Sequence, residues 1–260
     1  MDPRFARHIA ACNNAVLPGE RLRFSIGGEP VGWVKPALAV ALRDFSGVAE
    51  VEDGVALSAD AAGDLPAMAL SLVERGFGRR RGEEFDVRAA PDGPALARID
   101  RGMLPSFGIS ATGIHVNGLV RGADGPHVWI ARRARDKLLD PGKLDHIVAG
   151  GVCAGMGVRD TLIKEAAEEA CLPAALAERA VETGRVSYAM ERDEGLRRDW
   201  LHCFDLELPA DFVPRSGDGE VEAFELWPIA RAFEAVRDSN DFKFNVNLVL
   251  IDLFGRLGML

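Results

Sequence analysis

The stretch AGGVCAGMGVRDTLIKEAAEEACLP, residues 149–173, runs a glycine-rich loop into a helix, and its reading decides how the rest of the chain is understood. Gly150, Gly151, Gly155 and Gly157 punctuate the loop, and the helix has to stop at or before Pro173, whose ring offers no N–H to continue it. At about 100° per residue, Glu165, Glu168 and Glu169 fall in one narrow stripe. Ile163, Ala166, Ala167, Ala170 and Cys171 lie opposite, so the spacing predicts a helix with its apolar back on a sheet and three carboxylates held forward. Like charges this close repel unless something positive joins them. Carboxylates at i, i+3 and i+4 suit a hard divalent cation such as Mg²⁺, which keeps positions for water and substrate phosphate. The pattern therefore points to phosphate chemistry; the alternative, an acidic solvated helix face, does not account for the glycine loop in front of it.

Working outward, the chain has 260 residues, 48% of them hydrophobic, enough for one large domain or two modest ones with a real core. Lys plus Arg number 31 against 40 Asp plus Glu, a net charge of −9, which argues against broad binding to nucleic acid or an anionic membrane. A small anionic ligand needs only a local basic pocket. No run of about 18 apolar residues is present, and MDPRFARHIAACNNAV at the start lacks the apolar core of a secretory signal, so the expectation is a soluble, cytoplasmic protein. Cys12, Cys153, Cys171 and Cys203 form no CxxC pair and are expected as reduced core residues.

The first half reads as a small α+β unit, residues 1–108. A helix near 3–16 is followed by a hairpin, 21–26 and 30–34, turning on Gly27, Gly28 and Glu29. A helix over 36–43, strands near 49–51 and 55–58, and a helix over about 65–77 come next. The charged run GRRRGEE, residues 78–84, either touches a phosphate or keeps a loop in water. A strand in FDVRAA, a turn at PDGP and a short helix to about Gly102 complete the unit. From residue 109 to 260 the pattern changes: GIHVNGLVRG and HVWIARRA alternate as strands about a turn with Gly122 and Gly125, and then come the glycine loop and helix, several strands and a final helix.

The segment from Gly150 to Leu172 resembles the signature of the Nudix hydrolases, G-x5-E-x7-R-E-U-x-E-E-x-G-U. Gly150, Glu165, Ala166, Glu168, Glu169 and Leu172 satisfy it, whereas Met156, Lys164 and Cys171 stand where the pattern has Glu, Arg and Gly. Lys164 keeps the charge but not the guanidinium fork. Cys171 needs an ordinary helix end, or strain if the chain turns left-handed there. GIHVNGLV, DKLLDPGKLDHIVAGG, DLELPADFVPRSGDGEVEAFELWPI and NVNLVLIDLFGRLG are similar to one subgroup, which carries an extra N-terminal domain and includes proteins linked to thiamin diphosphate metabolism. The resemblance implies an α/β/α sandwich with a mixed sheet, preceded by the α+β domain. It also implies cleavage of a small organic diphosphate with Mg²⁺ or Mn²⁺, with Glu165, Glu168 and Glu169 as metal ligands and Gly150 and Gly151 shaping the loop that presents them.

Around this centre, SGDGEVEAFELWP supplies Asp218, Glu220 and Glu222; Glu220 and Glu222 share a face if the strand has begun there, so either is a candidate general base. Lys137 and Lys143 flank the turn LLDPG and are candidates to hold substrate phosphate, or to solubilise the surface. The five histidines, His8, His115, His127, His146 and His202, show no metal spacing and are expected to be structural. Trp129, Tyr188, Trp200 and Phe204 are expected in the core more than against a heterocycle. Three functional readings stand: hydrolysis of thiamin diphosphate or its oxidised and damaged forms to the monophosphate, the same chemistry on a nucleoside diphosphate sugar or dinucleotide, or a ligand-binding protein with a drifted signature. The N-terminal domain carries no chemical motif; closing over the pocket, supporting a homodimer or stabilising the fold are its candidate roles.

Overall fold

Asp2 opens the first helix by accepting the Arg4 N–H, and α1 (Pro3–Cys12) follows. The computed structural model describes residues 2–260, and in it a four-stranded sheet follows α1. That sheet is built by the hairpin β1 (Leu22–Ile26) and β2 (Glu29–Val34), then, after α2 (Pro36–Leu42), by β3 (Val48–Val51) and β4 (Gly54–Leu57). Gly27 and Gly28, at φ +58° and +89°, supply the two left-handed residues that a tight hairpin needs. The strand order is β2-β1-β4-β3, with β1 and β4 parallel. Phe24 and Leu57 of this sheet share one core with Leu42 of α2 and with Leu65 and Leu72 of helix α3 (Leu65–Glu74).

Residues 84–103 differ from expectation. The short helix expected to end near Gly102 is a strand, β6 (Ala97–Asp100), paired with β5 (Glu84–Val87) and followed by one tight helical turn. The alternation of Arg98, Ile99 and Asp100 decides this: Ile99 is fully buried in the same core as Phe85, while Asp100 turns out and caps the next turn through the Gly102 N–H at 2.8 Å. A last turn, α4 (Leu104–Phe107), ends on Gly108 and leads into the second sheet.

This larger sheet holds β7 (Ser110–Gly122), β8 (Gly125–Arg133), β9 (Leu144–His146), β10 (Val148–Gly151), β11 (Val181–Arg192), β12 (Gly195–Glu207) and β13 (Val221–Pro228). Its main path is β11-β12-β7-β8-β13, mixed because β12 and β7 run parallel. Strands β7 and β8 pair at Leu119–Gly122 and then part, and β10 and β9 fill the wedge between them. Alternation along β7 sorts the two faces. Ile114 and Val116 pack with Leu162, Ala166 and Ala170 of α5 (Val158–Ala170), near the single turn α6 (Ala174–Ala177), while His115 turns towards α8 (Phe244–Arg256). With α7 (Ile229–Asp238) beside α8, two helices close the chain where one was expected, and the result is the expected α/β/α sandwich.

Helix α1 belongs to that sandwich by packing. Phe5, 1% exposed, sits 4.8 Å from the Phe233 ring and 6.3 Å from Phe254, and Cys12 packs with Tyr188, Cys203 and Leu248. Burial of a side chain such as Phe5 contributes about 1.5–3 kcal/mol. Of the four cysteines expected in the core, Cys12 and Cys203 are buried, and burial pushes both thiols up to about 12. Cys153 is half-buried and Cys171 exposed, because Cys153 lies in the loop before α5 and Cys171 is the left-handed residue on which the helix ends. No helix among the described residues is long and apolar enough to cross a membrane.

Candidate functional site

Helix α5 presents its stripe at the mouth of the wedge between β7 and β8. Glu168 is half exposed and Glu165 largely covered, while Glu169 belongs to the buried face with Thr161, Leu162, Ala166 and Ala170. Ile163 and Ala167, expected on the buried side, are half-buried and exposed. The Ala149 N–H of β10 donates to Glu169 Oε2 at 2.8 Å and draws that carboxylate inward. Burial raises the Glu165 and Glu169 carboxyls above the ordinary range, Glu169 well above it, and neighbouring carboxylates add to the effect, Glu168 and Glu220 on Glu165 and Asp145, Glu165 and Glu220 on Glu169. On the outer side, Lys164 Nζ lies 2.5 Å from Glu168 and 3.3 Å from Glu165, so the lysine at the signature's arginine position is the counter-charge of the stripe.

The two glycines act through close approach. Gly150 lies in β10 and not in a loop, and a Cβ there would meet Glu165 Cγ at 2.4 Å. A Cβ on Gly151 would meet the ring of Phe85 at 2.5 Å, so the N-terminal unit covers this strand. Helix α5 ends with Cys171 at φ +50°, the left-handed conformation that favours Gly, and the Leu172 N–H bonds back to Ala166 O at 3.0 Å. The loop from Ser216 to Gly219 docks against the same end: the Gly217 N–H donates to Glu168 O at 3.1 Å.

That loop delivers Glu220 to the wedge, where Glu220 shares a small cavity with Lys137, Asp145, His146 and Glu169. Lys137 is there as its ion-pair partner. Two other expected site residues are elsewhere. Glu222 does not share the face of Glu220, because the register between β13 and β8 shifts at Val221/Ala223, and Glu222 faces Arg135 at 3.7 Å. Lys143 donates to the Asn240 carbonyl and does not line the cleft.

The sequence did not bring His115 and His146 together, yet their Nδ1 atoms lie 2.9 Å apart under the wedge. With Asp145 they are the only three His, Cys, Asp or Glu residues among those described whose ligand atoms lie within 4.8 Å of one another. The charges nevertheless oppose a cation there. Asp145 already accepts from Arg133 at 2.7 Å and Lys243 at 3.3 Å, and the histidine nitrogens face each other. Burial holds the His115 ring well below its usual range and His146 down to about 4. For Asp145, burial opposes ionisation, but Lys243, His115 and Arg133 outweigh it and hold the carboxyl below the usual range. The signal for this network was in the chain: His115 and Asn117 alternate with apolar residues in a strand buried on both faces, and Asn245 and Asn247 interrupt an apolar helix.

For a divalent cation the better donors are the glutamates of α5: three carboxylates on one stripe, two of them raised by burial and mutual charge, beside a glycine that leaves room for Glu165. Their oxygens are spread by Lys164 on one side and the Ala149 N–H on the other. The surrounding cleft, of about 1220 Å³, is lined by both units of the chain.

No family model matches the chain. Among curated proteins, Nudix hydrolase 20, chloroplastic, of Arabidopsis thaliana is 41% identical over 180 residues, 69% of this chain and 48% of its own, so the chain spans about half of that relative. Solved structures are more distant: a Deinococcus radiodurans protein is 16% identical with a TM-score of 0.49, over 65% of this chain and 98% of its own. Nudix hydrolase 24, chloroplastic, also of Arabidopsis thaliana, is 36% identical over 267 residues, 98% of this chain and 73% of its own length. On that likeness, held from one end of the sequence to the other, the chain belongs to the Nudix hydrolases and is a diphosphate hydrolase.

Proposed function

We propose that the protein hydrolyses a small organic diphosphate to the monophosphate and phosphate, with thiamin diphosphate or its oxidised and damaged forms as substrate. The observation that carries the catalytic part is the set Glu165, Glu168 and Glu169 along α5 beside a large cleft, Glu165 and Glu168 towards its mouth and Glu169 drawn in behind them, with Gly150 leaving room for Glu165. The substrate is supported by the likeness of four segments, three of them wholly outside the signature, to the thiamin-linked subgroup. The three glutamates would hold Mg²⁺ or Mn²⁺, which, when bound, neutralises the diphosphate charge and makes water easier to deprotonate. Glu220, oriented by Lys137 and close enough to Glu165 and Glu169 to act on their charge, would take the proton of the attacking water. Lys164 keeps Glu165 and Glu168 from repelling each other before the cation arrives.

The test is a product assay of the purified chain with Mg²⁺ over thiamin diphosphate, its oxidised forms, ADP-ribose and a dinucleotide, with Glu168→Gln as control. Release of phosphate confined to the thiamin compounds, and lowered at least about 100-fold by Glu168→Gln, is the expected result. Release of a nucleoside monophosphate would keep the site and replace the substrate; an inert protein that binds no Mg²⁺ would favour the ligand-binding reading.

A further inference from the structure

The run GRRRGEE is the charged motif that the catalytic reading leaves unused. Arg79, Arg80 and Arg81 line the large cleft from the N-terminal side, with Arg101 and Gly102 beside them, while Glu165 and Glu168 line it from the other. Among the described residues, none of these three arginines is paired with a carboxylate; Arg101 is held by Glu83 at 2.7 Å. The acidic group acting on Arg81, Glu194, is engaged by Arg197 at 3.5 Å.

Cations on the opposite wall are already committed. Lys137 is held by Glu220, Lys164 by Glu168, Arg133 and Lys243 by Asp145, and Arg197 by Asp199, while Arg198 donates to the Gly108 carbonyl. A diphosphate leaving the cation-bearing carboxylates of α5 would thus find its uncommitted positive charge on the N-terminal unit. Guanidinium groups suit phosphate oxygens by geometry as well as charge.

The loop is built and not merely exposed. The Asp100 carboxylate accepts the N–H groups of Arg81 at 2.9 Å, Gly82 at 2.7 Å and Gly102 at 2.8 Å. Gly102 packs so closely that a Cβ there would lie 2.1 Å from Arg79 O. The unit is also fastened to the loop in front of α5. The Ala154 N–H donates to Glu84 O at 2.8 Å, the Gly155 N–H to Asp86 Oδ2 at 3.2 Å, and Phe85 covers Gly151.

From these observations we infer that the N-terminal unit is half of the substrate site, its arginine loop Arg79–Arg81 holding the anionic phosphate end of the diphosphate opposite the carboxylates of α5. The inference rests on the diphosphate-hydrolase reading but not on the identity of the organic group. It gives the N-terminal unit a binding task and takes, of the two readings of GRRRGEE, the one in which the run touches a phosphate.

The experiment uses the full chain and two readouts: calorimetric binding of inorganic pyrophosphate in Mg²⁺, and kcat and KM on whichever diphosphate the panel selects. R79Q/R80Q/R81Q is expected to weaken pyrophosphate binding and raise KM at least about tenfold, with kcat within about twofold. The lysine triple R79K/R80K/R81K should recover part of the loss, and the single variants Arg80→Gln and Arg81→Gln, at exposed positions, carry the test if a triple variant misfolds. Unchanged pyrophosphate binding and KM in the folded glutamine variants would overturn the inference. A wild-type chain that binds pyrophosphate through these arginines yet hydrolyses no diphosphate would overturn the functional reading and leave the arginine site standing.

Discussion

Between Asn13 and Ile109, Ser25 is the one buried polar side chain among the described residues, whereas from Ser110 onward the interior takes in His115, Asp145, His146, Glu169, Asp199, Lys243, Asn245 and others. The smaller sheet leaves its charged side chains on the surface and fills its inside with Phe, Leu, Ile and Val. The larger sheet draws charge into the wedge between β7 and β8, where each buried cation needs its carboxylate. The first arrangement depends on volume and the second on pairing. Mutations should therefore fail differently in the two.

The largest effect is expected at Asp145. Asp145→Asn leaves Lys243 and Arg133 buried without their counter-charge and should cost about 3–5 kcal/mol in urea unfolding, with Lys243→Met on the same background restoring part of it. In the apolar core, Leu72→Ala removes a fully buried side chain and should cost about 3 kcal/mol, with little change between low and high salt. Equal salt sensitivity of the two losses would break the contrast.

A pH experiment sharpens it. In an NMR titration the His146 ring should stay neutral until about pH 4, because burial disfavours its charged form. Its folded value lies below its unfolded one, so its contribution to stability is fully present above about pH 6.5 and is lost as pH falls towards 4. A ring titrating near 6.5 would show that water reaches the wedge. The smallest effect is at the end of α5, where Cys171→Gly relieves a left-handed residue and should stabilise the chain by about 1 kcal/mol in thermal melts.

What could be read from the chain in advance was whatever is set by neighbours in sequence. The Gly27–Gly28 hairpin, the stripe of Glu165, Glu168 and Glu169, and the strained turn open to Cys171 all depend on local periodicity or backbone preference. What could not be read depends on what lies opposite. The burial of Glu169 comes from the Ala149 N–H, the loss of Glu222 from the cleft comes from a bulge against β8, and Lys143 is taken by a carbonyl 97 residues away. The segment ALARID is a strand and not the expected short helix because pairing with β5 outweighs its weak local preference. His115 and His146, 31 residues apart, meet only because β9 and β10 fill the wedge.

The position of α1 has a practical consequence for anyone dissecting the chain. Phe5 of α1 fills an aromatic socket made by Phe233 of α7 and Phe254 of α8, the helices furthest from it in sequence. A fragment cut at residue 109 would carry that socket empty, and its failure to express would say nothing about the catalytic fold. A fusion joining residues 2–14 to the larger unit by a short linker is the minimal piece that such a chain offers.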